Sequence, residues 1–519
     1  MIKSILVFIT LFNAGFLFAQ KASIEWGQIQ KKQGRLIEIL SPVPGEFYTL
    51  RWLGGNIGGR YHVTKNVGLE RIERKRIKLF VNESIANFVA VGIVDGDFTV
   101  FLSDKQNGSH NIYMQRYDES IEPKGEQVYL GGFPLQAGVK GRFNVAFSKD
   151  NSHFGVFWNL PGKKDRKHIY GFNIFNKNIE KVNDGEYPLK FDPKYVRILE
   201  HQVSNSGDYF LAFAEYERNE KSFLKNKQKF KDLHIYHVND DGLQEFEIDI
   251  DGRRIEAMAM SMNDENQFVV TGIYGVQDIQ GVTGLFHQRM DLKTGAQLLN
   301  TYKDFDEDFI KEGWSQQALR KADRREERGM GAAQLQHYQM QDVATLSDGS
   351  LLGTMEQYYV ELQSSADPNT GTSSDRYYYY FNDIIAFKIN ATGQFDWIKK
   401  VPKYQVSMND GGPYSSFASY VSDSKISFVF NDSRSNYNAS GEFLKNSEIH
   451  TANYTKKRNV VALAEIDVET GEVERKVFFG RSDISTITVP KLFNINYQTR
   501  QVLLYSIWGK NERLGLMKF

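Results

Sequence analysis

The chain has no cysteine among its 519 residues. That excludes disulfide staples, thiolate metal sites and cysteine nucleophiles together. Proline is scarce, 11 residues against 43 glycines, so turns must be made mainly by glycine, asparagine and aspartate. Neither sign of charge is in excess, since 64 Lys and Arg balance 64 Asp and Glu. Nucleic acid and anionic membrane surfaces both call for a basic surplus, so neither is expected as a partner. Local catalytic signatures are missing too: there is no G-x-S-x-G, no H-E-x-x-H and no P-loop. Gly54, Gly55, Gly58 and Gly59 lead into no helical pattern, so they are not a dinucleotide fingerprint. Asp249-Ile250-Asp251-Gly252 opens like a calcium loop, but Met258 stands where the closing glutamate belongs. His234 and His237 lie three apart on a strand pattern and point to opposite faces, so they cannot share a metal. No cofactor or metal site is expected.

Length comes next. The first 20 residues carry Lys3, an apolar stretch from Ile5 to Phe18 broken by Thr10, Asn13 and Gly15, and then Ala19. Fourteen residues fall short of the ~20 that span a bilayer, and no later segment is long and apolar enough to cross. The pattern is that of a cleaved export signal over residues 1–20, which implies a periplasmic or extracellular location.

What the chain has in abundance is repetition. Aromatics are plentiful, with 27 Tyr and 37 Phe, as suits many short strands. An apolar strand, a short polar turn and a second, more apolar strand recur as 145–158, 202–213, 260–271, 344–353 and 420–430, with looser copies around Gly45, Gly96 and Thr499. A second turn follows seven of the eight copies, clearest at Asp291-Leu-Lys-Thr-Gly295 and Asp467-Val-Glu-Thr-Gly471. Strands apolar on both sides, such as Phe210 to Phe213, suit positions sandwiched between neighbouring sheets. The expected fold is therefore an all-β β-propeller of eight four-stranded blades at 35–79, 85–130, 142–187, 196–249, 254–302, 337–404, 414–480 and 487–519. Seven blades, with 35–79 as an irregular cap, is the alternative. The last copy lacks its second turn, while 22–30 reads as a strand with no partner. Supplying the missing outer strand from the N-terminus closes the ring. Residues 21–519 then form one domain. Between blades five and six, residues 304–337 place Ile310, Trp314, Ala318 and Ala322 at helical spacing, predicting an inserted amphipathic helix.

The Asp-x-x-Thr-Gly turns resemble those of eight-bladed quinoprotein dehydrogenases, and the Ser-x-Asp turns are similar to those of TolB-like propellers. The quinoprotein resemblance implies a tryptophan after each turn that locks neighbouring blades. Trp397, four residues after Gly393, is the one in the expected place. The vicinal cysteines of the alcohol-oxidising members have no counterpart.

Site motifs being absent, a non-enzymatic binding or scaffolding propeller is the expected function. A hydrolase or lyase with carboxylates drawn from several blades is the alternative, followed by a quinone-cofactor oxidoreductase. The long segments 217–231, 304–337, 363–376 and 433–458 all fall on one end of the blades, which is therefore the expected binding face. Its candidate contact residues are Tyr216, Trp314, Tyr358, Arg376, Tyr377, Tyr414 and Arg434, types common at interfaces, and a protein or glycan is the expected partner. The export reading is checked by sequencing the mature N-terminus. A start near Gln20 or Lys21 in a soluble fraction is expected; retention of Met1 in membranes would refute it.

Overall fold

The structure, a computed structural model, describes residues 23–55, 59–136, 140–162, 167–218, 228–263, 267–277, 281–328, 334–366, 373–445, 448–452, 454–455, 457–497 and 499–518. The expected export segment 1–20 lies outside them. Within them, antiparallel strands form eight sheets of at least four strands, following one another along the chain, with one small two-stranded sheet besides. Residues 35–77, the region weighed above as a cap, form the first sheet, from Arg35–Val43 to Glu46–Trp52, Tyr61–Val67 and Glu70–Ile77.

The turns form for local reasons. In the first kind, a serine or aspartate side chain accepts the amides of the turn. His153 N donates to Ser148 Oγ at 2.9 Å, Asp208 N to Ser204 Oγ at 2.9 Å, and Ser350 N to Asp348 Oδ1 at 2.9 Å. In the second kind, Asp467 Oδ1 accepts from Thr470 N and Thr470 Oγ1 at 2.8 and 3.0 Å. These bonds hold the Asp467 carboxyl below its usual range. The chain then reverses through Gly471 at φ +69°, a region that glycine enters freely. A Cβ there would also strike the Trp397 ring. Trp397 Nε1 in turn donates to Val468 O at 3.0 Å. This tryptophan therefore locks the sixth sheet onto the turn of the seventh.

The sheets are held together by the seams between them. Along Tyr209–Arg218, the second strand of the fourth sheet, Leu211 and Phe213 join the core shared with the third sheet. Phe210 and Ala212 join the core shared with the fifth. The same division repeats around the molecule, giving shared apolar clusters for the first and second sheets, second and third, fifth and sixth, sixth and seventh, and seventh and eighth. The last cluster joins the eighth sheet back to the first, with Leu503 and Tyr505 against Leu36, Ile39 and Phe47. Each fully buried Phe or Leu contributes roughly 1.5–3 kcal/mol, and in a seam that contribution depends on two sheets at once. This is the architecture of a β-propeller.

The N-terminal strand closes it. Ser23–Trp26 pairs antiparallel with Asn511–Lys518, in the register Ser23 to Lys518 and Trp26 to Gly515. Trp26 packs edge-on to Phe479 of the seventh sheet at 5.6 Å, with the Arg513 guanidinium 5.4 Å from its ring centre.

The expected inserted helix is divided. The last strand of the fifth sheet runs to Asp304, and two helices follow, α1 (Glu307–Lys311) and α2 (Gln316–Glu327). Gly313, at φ +79° and close against Pro402, breaks the run, and Ser315 Oγ restarts it by accepting from Ala318 N at 3.2 Å. The sequence also reads Gly329 and Gly331 as the end of the helix, and both lie outside the described residues. No described helix is long and apolar enough to cross a membrane. Deleting residues 23–31 is expected to lower the melting temperature by several degrees and to induce concentration-dependent aggregation, because the edge of Asn511–Lys518 is bared. An unchanged thermal melt would contradict the closure.

Candidate functional site

Connections between first and second strands are short in every sheet, and those between third and fourth are short in the first seven, whereas the long segments gather at the other end. The sixth sheet departs most from its neighbours. Its two central strands, Leu351–Ala366 and Ser373–Ile389, have 16 and 17 residues. Flanking strands support only part of that length. Tyr338–Thr345 pairs as far as Gln357, and Phe395–Val401 pairs from Ile384 onward. Beyond those points the pair continues as a two-stranded ribbon, joined on one side by the short strand Gln405–Met408 against Tyr378–Phe381. Tyr358 N still donates to His337 O at 2.9 Å. From Tyr359 to Gln363 the outer edge has no strand beside it among the described residues.

The ribbon's two faces differ. On one, Val360 stands opposite Tyr379 and Leu362 opposite Tyr377. Val360, Leu362 and Tyr377 are 43%, 51% and 44% exposed, a concentration of apolar surface that a folded chain leaves in water only sparingly. On the other, Tyr359 stacks on Tyr380 at 4.5 Å, and Tyr380 OH donates to Glu361 Oε2 at 3.3 Å. Burial and the Glu361 charge push the Tyr380 hydroxyl up to about 12.

The ribbon stands on a buried polar footing. Lys403 and Glu356 form an ion pair at 2.8 Å with side chains 0% and 1% exposed. Lys403 Nζ also donates to Phe381 O at 2.9 Å and Gln405 Oε1 at 3.1 Å, which engages all three of its donors. Burial pulls the Lys403 ammonium down from its usual range, and Glu356 opposes that pull. Glu356 Oε2 accepts from Ser416 Oγ at 2.7 Å, and Gln405 Nε2 donates to Asn431 O at 2.7 Å, so the network enters the seventh sheet. Asn431 continues it to the eighth, donating to Thr488 O at 2.9 Å and accepting from Thr488 Oγ1 at 2.8 Å. Beside it Asp432 accepts from Tyr437 OH at 2.5 Å, from Asn436 Nδ2 at 2.8 Å and from Arg475. Phe381 sits at the ribbon's base, 4.6 Å from Tyr358 and 3.7 Å beneath Lys491, whose ammonium burial lowers to about 8. Lys400 Nζ donates to Ile310 O at 3.1 Å and to Phe309 O, pinning α1 to the same sheet.

Of the seven residues expected at the binding face, the structure brings three onto this ribbon: Tyr358 at its base, and Arg376 and Tyr377 exposed near its tip. The other four have packing roles. Tyr216 leans on the seam of the fourth and fifth sheets, with the Arg197 guanidinium 4.4 Å over its ring. Trp314 packs into the seam of the fifth and sixth, and Tyr414 onto that of the eighth and first, 5.3 Å from Tyr454. Arg434 Nη1 donates to Tyr437 O and Asn438 O at 3.0 and 2.8 Å, holding its own loop.

Two further clusters bear on chemistry. Glu215, Asp232 and His234 bring ligand-type atoms within 4.8 Å of one another. Lys231 already supplies the positive charge there, at 2.9 Å from Glu215 and 3.5 Å from Asp232. His234 stacks on Phe213 and His237 on Phe210, in opposite seams, as expected of histidines three apart. The first strands of the sheets carry Glu38, Glu200 and Asp342, all raised chiefly by burial, Glu200 to about 7. None of the three is shifted by the charge of another, whereas paired catalytic carboxylates shift each other. Residues 249–252 form a polar turn, with Asp251 N donating to Asp249 Oδ1 at 2.8 Å.

No protein-family model matches the chain, and no curated protein matches it. Among solved structures it is similar to Sqt1 of Chaetomium thermophilum bound to the N-terminus of ribosomal protein L10, at 9% identity and TM-score 0.39, covering 94% of this chain and 97% of that one. It is also similar to the Synechocystis apocarotenoid oxygenase, at 9% identity and TM-score 0.34, covering 88% and 93%. A third is an α-L-arabinanase of Penicillium chrysogenum complexed with arabinobiose, at 11% identity and TM-score 0.30, covering 62% and 88%. The propeller assignment rests on the sheets and seams described above.

The footing yields a stability prediction. Lys403→Met should cost about 3–5 kcal/mol by stranding Glu356 without its partner. Adding Glu356→Gln should restore at least ~1 kcal/mol of that loss. Denaturant titration of the single and double variants decides it, and strictly additive losses would contradict a coupled pair.

Proposed function

We propose that this protein is an exported, non-enzymatic propeller that binds a protein partner through the ribbon of its sixth sheet. The observation that carries the reading is the combination of an open strand edge at Tyr359 to Gln363 with the exposed Val360, Leu362 and Tyr377 beside it. An open edge presents a row of N–H and C=O groups that an extended peptide can match as an added strand. A glycan offers no such ladder, so the edge favours a polypeptide. The alternating exposed side chains give such a strand apolar contacts to select by. Arg376 and Tyr377, near the tip, are residue types that anchor interfaces. The buried Lys403–Glu356 footing holds the ribbon in place, which lowers the ordering cost of binding. Export rests on Lys3, the apolar stretch Ile5 to Phe18, and Ala19. The eight sheets and their shared seams support an eight-bladed ring beneath the ribbon.

A hydrolase or lyase would need carboxylates acting on one another or on one substrate atom. Glu38, Glu200 and Asp342, on first strands, are each raised chiefly by burial, and the open ribbon edge favours the binding reading.

The test is selection of peptides on the immobilised protein, followed by affinity measurement on variants. Val360→Asp with Leu362→Asp should weaken a selected peptide by about 30-fold, the effect of losing one hot-spot contact of ~2 kcal/mol, with the melting temperature unchanged. Trp314→Ala should instead lower stability and leave affinity intact. Equal affinity in the ribbon variant would overturn the proposal.

A further inference from the structure

The seam that joins the first sheet to the eighth is apolar over only part of its extent. Leu36, Ile39 and Phe47 meet Leu503 and Tyr505 there. Further along the same side of Glu46–Trp52 come Thr49 and Arg51, with Thr64 and Asn66 on the adjacent strand. These four line a narrow indentation, with a free volume of about 10 Å³, that opens to solvent. Its other wall is the chain's own closure: Gly27 and Gln28 from the N-terminal segment, and Glu512 to Leu514 from the last strand.

The charges there do not balance. Arg51, Arg71 and Arg513 all line the indentation, against the single carboxylate of Glu512. That carboxylate is already engaged: its Oε2 accepts from Arg51 Nη1 at 2.6 Å and from Tyr505 OH at 3.0 Å. Arg51, 4% exposed, has five N–H donors, and it meets the Glu512 carboxylate and the Tyr505 hydroxyl. Arg71 donates to Gln30 Oε1, and Arg513 Nε to Gly27 O at 2.6 Å. Thr49 is 1% exposed, and its hydroxyl has no partner among the described residues. A buried hydroxyl with no partner costs stability unless something meets it, and three guanidinium groups beside one engaged carboxylate leave a positive surplus that favours an anion.

We propose that this indentation binds a small inorganic anion, held by Arg51 and Arg71 with the Thr49 hydroxyl behind it. The bound anion neutralises the surplus guanidinium charge. It sits against Gly27 and Gln28 of the N-terminal segment, next to the four-residue pairing that closes the ring. Ring stability is thereby linked to anion concentration by mass action. This inference is independent of what the ribbon binds.

The experiment is thermal melting of the whole protein at constant ionic strength, with chloride, bromide, sulfate or phosphate replacing gluconate, which is too large for the indentation. A rise of a few degrees that saturates with one of these anions is expected. The chloride and bromide arms identify a halide, the other two an oxyanion. Arg71→Gln, on an exposed residue, should at least halve the rise, and Thr49→Val should reduce it. Arg74→Gln, on the same strand but outside the indentation, should leave it unchanged. Identical melts in all salts would show that the indentation holds water only and would overturn the proposal. So would a full response in Arg71→Gln.

Discussion

The pairing of Ser23–Trp26 with Asn511–Lys518 joins the two ends of the chain, and the rest of the fold depends on it. Among the described residues, the apolar clusters are shared between neighbouring sheets. Each second strand gives alternate side chains to the seams before and after it, as Phe210 and Leu211 do. A sheet is therefore stable only when both neighbours are present, and the first and last sheets are neighbours only in a closed ring. Stability in such a molecule is a property of the circle. The same logic explains why the closing seam, which combines a partial apolar core with an ion pair between Arg51 and Glu512, is where small changes in charge should be felt most.

The two ends of the blades follow different physical rules. At one end the turns are short and satisfied locally by serine, aspartate and threonine side chains, so little there can vary without losing a turn. At the other end long segments are carried by a polar network running from Lys403 and Glu356 through Gln405 and Asn431 to Thr488. Buried ion pairs of this kind add little net stability over an apolar packing, but they tolerate few alternative arrangements. They fix the direction in which the ribbon leaves the sheet. α1 is attached to the same sheet by Lys400, so the inserted helices and the ribbon share a support.

Much of this was legible in the sequence because turns are local. Asp467-Val-Glu-Thr-Gly471 carries its hydrogen bonds within six residues, and apolar runs such as Phe210 to Phe213 state which strands are covered on both faces. The missing last turn and the orphan N-terminal strand together predicted the closure that is found. The single inserted helix was less legible, since Ile310, Trp314 and Ala318 keep helical spacing across Gly313, whose left-handed φ of +79° breaks the run. The site was legible only in part. Aromatic type singled out Tyr216, Trp314 and Tyr414 as well as Tyr377, but type does not say which ring a neighbouring sheet covers. Val360 and Leu362 read as ordinary strand residues, because their exposure follows from flanking strands that stop short. The one signal for the footing was Glu356, a charge directly after the apolar run Leu351 to Met355. Its partner lies 47 residues away.

In the proposed function, a closed ring bears a ribbon whose outer edge is free to receive a strand. Amide hydrogen exchange on the protein without a partner tests it most directly. A closed ring should show strong protection at Ile24 to Trp26 and across the second strand of each sheet, and the open edge should behave differently. Rapid exchange is expected for the outward-pointing amides between Tyr359 and Gln363, slowed when a selected peptide is bound. Protection of those ribbon amides in the free protein, matching that of the sheet interiors, would contradict the open edge.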